Sequence, residues 1–218
     1  MSQSTNQPIQ TNHVPADNAS EVGRMDFIIR SALSGVRTSI PVQVISVTNN
    51  GSLTGIGRVA VQPLVSSVDG AGQAWPHGII YNVPYMRLTA GANGIIIDPV
   101  VGDIGIATVA DRDISTVKNT AEVSAPGSNR KHDLSDMVYL MSIISDPPTQ
   151  YIQFNSSGLT IHSPTAITIT APTINSSGTW NHTGSIAATG DVTGNGTSLH
   201  THKHGGVVVG GGQTGTPV

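Results

Sequence analysis

The sequence predicts an all-β protein in which a small closed barrel is followed by an intertwined, trimeric β-helix. Three observations lead to this class. Short runs of alternating apolar and polar residues, separated by turns, fill residues 39–143. The last third of the chain combines many Thr and Gly residues with almost no charge. Three histidines, His200, His202 and His204, then occupy alternate positions near the C-terminus.

The amino-acid composition limits the classes of protein to which the chain can belong. The chain has 218 residues, of which 11% are charged, 25 are glycine and none is cysteine. Typical domains carry about 25% charged residues, so the low charge and the many β-branched residues favour extended, paired β-structure. A net charge of −3 gives no general affinity for nucleic acid, and no nucleic-acid partner is expected. We expect neither a signal peptide nor a membrane-spanning helix, because no suitable apolar run occurs.

The N-terminal part predicts an arm and a short helix. Residues 1–25 are rich in Ser, Thr, Asn and Gln, which is typical of a flexible or partner-contacting arm. Asp26 is a candidate N-cap for a helix over residues 26–36, whose end is weakened by Gly35.

The barrel is predicted within a collar domain of residues 26–146. Its strands are expected at residues 40–47, 56–64, 79–83, 86–88, 94–97 and 103–109. The first strand ends at a turn signal, Asn49-Asn50-Gly51. The number of strands and the length of the segment suit a five-stranded barrel of the OB type.

A proline-bearing joint, Ser145-Asp146-Pro147-Pro148, leads into a predicted β-helical shaft of residues 147–198. Short strands are expected there at residues 151–154, 158–162, 166–170, 185–188 and 190–193. Residues 151–218 contain only two charged side chains, Asp191 and Lys203, and too few large apolar ones for a core of their own. Main-chain polar groups also need partners. Three chains winding round one axis would meet both needs, so a homotrimer is predicted.

Two sets of motifs carry a resemblance to a known family. The barrel segment holds Asn82-Val83-Pro84, Asp98-Pro99-Val100-Val101-Gly102-Asp103-Ile104-Gly105-Ile106 and Asp111-Arg112-Asp113-Ile114. The C-terminal segment holds Ile186-Ala187-Ala188-Thr189-Gly190-Asp191-Val192-Thr193, Ser198-Leu199-His200-Thr201-His202-Lys203-His204, Gly206-Val207 and Gly210-Gly211-Gly212-Gln213-Thr214-Gly215-Thr216-Pro217. In this order, over most of the chain, they resemble the central spike proteins of contractile-tailed bacteriophage baseplates, the baseplate assembly protein V family.

The resemblance implies a structural protein of the virion, at the tip of the tail baseplate. It implies a trimer with an OB-like collar, a β-helical shaft and a metal-binding apex at residues 199–218. One iron ion per trimer would be bound octahedrally by a His-x-His pair from each chain. The implied partners are the baseplate hub protein, contacted by the N-terminal arm, and the bacterial outer membrane, which is pierced mechanically as the tail contracts.

The histidine pattern itself suits such a site. On an extended segment, alternate side chains share one face, so three His-x-His pairs around a threefold axis supply six nitrogen ligands. Imidazole suits several transition metals, and six ligands leave no open position, which makes the site structural. His202 and His204 match the family pair, and His200 with His202 is the alternative. The alternative for the same residues is an exposed His-rich tail that binds no metal.

Catalysis has no support in the sequence, and no catalytic residue is predicted. Carboxylates cluster near Arg112, at Asp98, Asp103, Asp111 and Asp113, but such residues usually cap turns and form surface pairs. The protein is therefore not expected to be an enzyme. The alternative function is that of a receptor- or glycan-binding trimeric tail fibre or adhesin module, since OB-type barrels often bind glycans.

Overall fold

The computed structural model describes residues 17, 19–48, 51, 53, 57–69, 72–203, 205–206 and 210–211. The chain divides into two compact units, Met1–Thr165 and Ala166–Val218. Strands predominate over helices among these residues, which confirms the all-β class. The finer divisions at residues 25, 146 and 198 stay predictions.

The elements follow one another along the chain. In order they are α1 (Glu21–Ser34), β1 (Ser39–Thr48), β2 (Arg58–Pro63), β3 (Ser67–Val68), β4 (Ala74–Trp75), β5 (Ile80–Pro84), β6 (Leu88–Ala90), β7 (Asn93–Ile95), β8 (Ile104–Val109), α2 (Ser115–Thr120), a 3₁₀ turn (Leu134–Asp136), β9 (Met137–Ile144), β10 (Tyr151–Asn155), β11 (Gly158–His162), β12 (Thr193–Gly194) and β13 (Thr197–Ser198). Most of the strands predicted for the first unit are present, with shifted ends, whereas residues 86–88 contribute only Leu88, the first residue of β6.

A five-stranded sheet forms the body of the first unit. Its strand order is β5-β2-β1-β8-β9, and neighbouring strands are antiparallel. Apolar residues at alternate positions, such as Val42 and Val44 on β1, point to one face and are buried. The buried side chains of this face form one core, made of Val42, Val44, Val59, Val61, Val83, Tyr85, Ala107, Val109, Met137 and Tyr139.

The two outer strands of this sheet approach each other at one point. A single parallel bridge joins Tyr85, just after β5, to Tyr139 on β9. The main-chain N–H of Met86 donates to the carbonyl oxygen of Tyr139 at 2.8 Å. The sheet does not close into a barrel through a continuous ladder, so the OB-type barrel stays a prediction.

The predicted N-terminal helix is confirmed, but its predicted start at Asp26 is wrong. Helix α1 begins at Glu21, and the Ser20 hydroxyl accepts a hydrogen bond from the Gly23 N–H at 3.0 Å. Serine is a preferred N-cap because its side chain satisfies an otherwise unpaired helix N–H. Asp26 instead lies inside the helix and pairs with Arg30 one turn later, at 2.8 Å. In the part of the chain that the structure describes, no helix is long and apolar enough to cross a bilayer.

The second unit contains little regular structure. The strands predicted at residues 166–170 and 185–188 are absent, and of residues 190–193 only Thr193 belongs to a strand. Among the described residues, no hydrogen bond joins the main chain of residues 166–191 to another main-chain group, and every residue from 166 to 197 is exposed. Strands need a neighbour to pair with, and these segments find none among the residues that the structure describes.

Gly105 on β8 allows β8 and β9 to pair closely. A Cβ at this position would overlap the Tyr139 hydroxyl and the main-chain oxygen of Met141, both on β9. Tyr139 is almost completely buried in the core. Glycine is therefore required here for close packing, although its backbone is not in the left-handed region.

We expect Gly105→Ala to lower the free energy of unfolding of the first unit by about 1–3 kcal/mol, the usual cost of overpacking a core. Gly78→Ala is the matched control, because a Cβ at Gly78 meets nothing within 4 Å. Urea denaturation followed by tyrosine and tryptophan fluorescence measures both. Equal stability of the two variants would contradict the role assigned to Gly105.

Candidate metal centre

A short hairpin precedes the predicted metal ligands. Strands β12 and β13 are joined by Asn195 and Gly196, whose φ angles of 48° and 81° are both positive. Two positive φ angles define a type I′ turn, for which Asn-Gly is the preferred pair. Leu199 extends the hairpin by donating its N–H to the carbonyl of Val192 at 2.8 Å. The Asn-Gly pair is a sequence signal for this hairpin that our predictions did not use.

The residues after the hairpin form a turn, so the expectation of an extended segment is wrong at residues 199–201. The Ser198 hydroxyl accepts hydrogen bonds from the N–H groups of His200 at 3.1 Å and Thr201 at 2.9 Å. The His202 N–H in turn donates to the Ser198 carbonyl at 3.2 Å. Serine side chains commonly stabilise turns in this way, in competition with strand pairing.

His202 is oriented through one ring nitrogen. Its Nδ1 lies 3.1 Å from the carbonyl oxygens of both Ser198 and Leu199. Two acceptors at this nitrogen favour the tautomer with the proton on Nδ1, which places the lone pair on Nε2. Metal-binding histidines are typically held in this manner, with one nitrogen donating to a carbonyl and the other binding the ion.

The three candidate ligands differ in how far the structure describes them. His200 and His202 are both exposed, and the His200 N–H also donates to Asp191 at 3.2 Å. His204 lies outside the described residues. Within the described ranges of this single chain, no group of three or more His, Cys, Asp or Glu residues is arranged to hold a metal. The site, with ligands from three chains, stays a prediction.

The imidazole ligands fit a transition metal. Each chain of the predicted trimer would supply its His202 imidazole as one metal ligand. Neutral imidazole is a good ligand for iron, nickel, copper and zinc. The residues present therefore suit the implied iron, and another transition metal fits the same donors.

Two of the carboxylates near Arg112 form buried ion pairs in the first unit, so the expectation of surface pairs is wrong for them. Asp98 accepts two hydrogen bonds from Arg87, at 2.8 and 2.9 Å, and one from the Tyr85 hydroxyl at 2.9 Å. Burial by itself raises the pKa of Asp98, but Arg87, the Gly51 N–H and Tyr85 together hold that pKa below its ordinary value.

The second buried ion-pair cluster is centred on Arg130, which binds two carboxylates. Its guanidinium binds Asp136 at 2.7 Å and Asp113 at 2.8 Å, and both carboxylates are buried. Hydrogen bonds from Ser115 and Ser128, followed by the charge of Arg130, lower the pKa of Asp113 to about 2. These contacts join α2, the 3₁₀ turn and the loop between them, a structural arrangement that the spacing of the residues did not reveal.

The other two carboxylates behave as expected. Asp103 caps a turn by accepting the Val100 N–H at 2.8 Å. Asp111 is exposed and lies 3.9 Å from Arg112, as a surface pair.

Comparisons with protein-family models and with curated proteins gave no match for the chain.

We expect Asp113→Asn to destabilise the first unit at pH 7, with a difference from the wild type that shrinks as the pH falls. The pKa of Asp113 is lowered from 3.8 to about 2, so its contribution to folding is complete above pH 4 and is lost towards pH 2. Denaturant unfolding at pH 7, 4, 3 and 2 measures this difference.

Asp111→Asn is the control, because it makes the same chemical change at an exposed carboxylate. Its difference from the wild type should be small at every pH. A constant difference for Asp113→Asn between pH 7 and pH 2 would count against the ionised, charge-paired state of Asp113.

Proposed function

We propose that the chain is a structural protein, the central spike of a contractile phage-tail baseplate that pierces the host outer membrane mechanically. The observation that carries the proposal is that every residue from 166 to 197 is exposed and that the main chain of residues 166–191 pairs with no other described main chain. Ordering one residue costs about 1–2 kcal/mol of backbone entropy. The described residues of this segment make few hydrogen bonds with one another, such as Trp180 Nε1 to the Ser176 hydroxyl, so we infer that another chain orders it.

Copies of the same chain are the proposed partners. The exposed segment contains large apolar side chains at intervals, of which Trp180 is 74% and Ile186 75% exposed. Around a threefold axis, such side chains would face inward while the three main chains pair with one another. The resulting homotrimer would be an intertwined β-helical shaft with few charges.

The hairpin of β10 and β11 supports the same arrangement. Its cross-strand pairs Ile152–Ile161 and Phe154–Leu159 form one apolar face, and all four side chains are exposed. The opposite face carries Tyr151 and His162, whose rings stack with centroids 5.1 Å apart. An isolated two-stranded hairpin is marginally stable in water, so its apolar face needs cover from neighbouring copies.

We propose that the five-stranded sheet of the first unit is an OB-type barrel that serves as the collar. Support comes from the strand order and from the parallel approach of the two outer strands at Tyr85 and Tyr139. In this proposal the collar and the N-terminal arm contact the baseplate hub. Net charge −3 and the low fraction of charged residues do not suggest a nucleic-acid partner.

The proposed apex is a metal site shared by three chains, with His202 and His204 as ligands and His200 as the alternative to His204. The two carbonyl oxygens at His202 Nδ1 would orient its ring in the way that is common for metal-binding histidines. Six nitrogens would occupy every position of an octahedral iron. The bound ion would then tie three chain ends together and would not catalyse a reaction.

We expect the purified protein to be a homotrimer, with a mass three times the 22.5 kDa of one chain. Light scattering combined with size-exclusion chromatography, or sedimentation equilibrium, measures this mass. A stable monomer over the micromolar range would overturn the proposed function, because the exposed segment would then be ordered by no other chain.

We expect one metal ion, iron, per three chains, and loss of this ion in His202→Ala and His204→Ala. Elemental analysis of the purified trimer measures the metal content. His182→Ala is the control, since His182 is an exposed histidine of the same unit outside the predicted site. Retention of the ion in His200→Ala would select the His202 and His204 pair. A metal-free trimer of unchanged thermal stability would contradict the proposed apex.

A further inference from the structure

Helix α1 presents an apolar surface that nothing else among the described residues covers. It has 14 residues, and none of them is buried. Its large apolar side chains other than Phe27, which is half-buried, are exposed, with Val22 at 79% and Met25 at 59%. Helices of about 12–15 residues are marginal in water on their own, and most helical stability in proteins comes from packing of an apolar face. The helix therefore needs a partner.

The spacing of these residues indicates what kind of partner fits. Val22, Met25, Ile29 and Ala32 follow one another at intervals of three, four and three residues, and we call this set the α1 seam. Intervals that alternate between three and four residues, as in the heptads of coiled coils, keep the apolar line facing a second helix. The α1 seam thus suits a partner helix with the same repeat.

We propose that the α1 seam packs against the α1 seams of two further copies of the chain, in a parallel three-helix bundle. This inference rests on the homotrimer of the proposed function. Cyclic symmetry makes the three helices parallel and brings identical residues together at the axis. Ile28 and Leu33 flank the seam on either side, and in a parallel bundle Ile28 of one copy would lie beside Leu33 of the next.

The charges of α1 are compatible with its own copy. Its two acidic residues, Glu21 and Asp26, balance its two arginines, Arg24 and Arg30. Glu21 would face Asp26 of the neighbouring copy, but Asp26 is already paired with Arg30 at 2.8 Å. Helices that lie on anionic membranes carry polar faces rich in Lys and Arg. The neutral polar face of α1 does not fit that occupant.

Cross-linking tests the proposal, because the chain contains no cysteine. Ala32→Cys places a thiol in the α1 seam, and Ser31→Cys, the matched control, places one at the adjacent exposed position outside it. Disulfides need Cα atoms within about 7 Å, so under mild oxidation Ala32→Cys should form covalent dimers roughly tenfold faster than Ser31→Cys. Denaturing gels of the full-length protein measure both rates.

A second pair, Met25→Cys with Arg24→Cys as its control, repeats the comparison one heptad earlier. Faster cross-linking of both seam variants supports the bundle. Equal rates within both pairs, in a protein whose mass is that of a trimer, overturn the helix contact and leave the proposed function standing. A monomeric mass overturns both.

Discussion

The constraint on which the rest of the structure depends is that an ordered main chain must find hydrogen-bond partners and contacts to offset its lost entropy. The five-stranded sheet meets it within one chain, through the strand order β5-β2-β1-β8-β9 and the core that this sheet covers. Residues 166–191 do not, because their main chain pairs with no other described main chain. This difference, more than any single motif, supports the proposed assembly of several copies.

Sequence periodicity predicted the sheet well where one face of a strand is buried. In β1, apolar and polar residues alternate at Val42, Gln43 and Val44, whereas β8 is almost entirely apolar and only its burial alternates. The helix was predicted with the wrong start, because Ser20 and Asp26 are both good N-caps and only the fold decides between them. The strands predicted at residues 166–170 and 185–188 are absent, and no strand lies beside these segments in the described part of the chain.

The candidate site was predicted only as a set of residue types. Alternate histidines could be recognised from the sequence, but the turn that Ser198 stabilises could not, because a serine hydroxyl can bond to several main-chain groups. The buried ion pairs were also missed. Arg130 meets Asp113 across a loop, and a separation of this kind leaves no periodic signal. Asp111 and Asp113 both adjoin Arg112 in the sequence, yet Asp111 is exposed and Asp113 is buried.

The unpaired main chain of residues 166–191 has a consequence for the kinetics of folding. The five-stranded sheet forms from contacts within one chain, so its rate of formation does not depend on protein concentration. In the proposed trimer, the second unit becomes ordered only when chains meet, and that step is slower in dilute solution. Folding and assembly would therefore separate into a first-order phase and a later phase of higher order, with collars complete before the shaft begins to form.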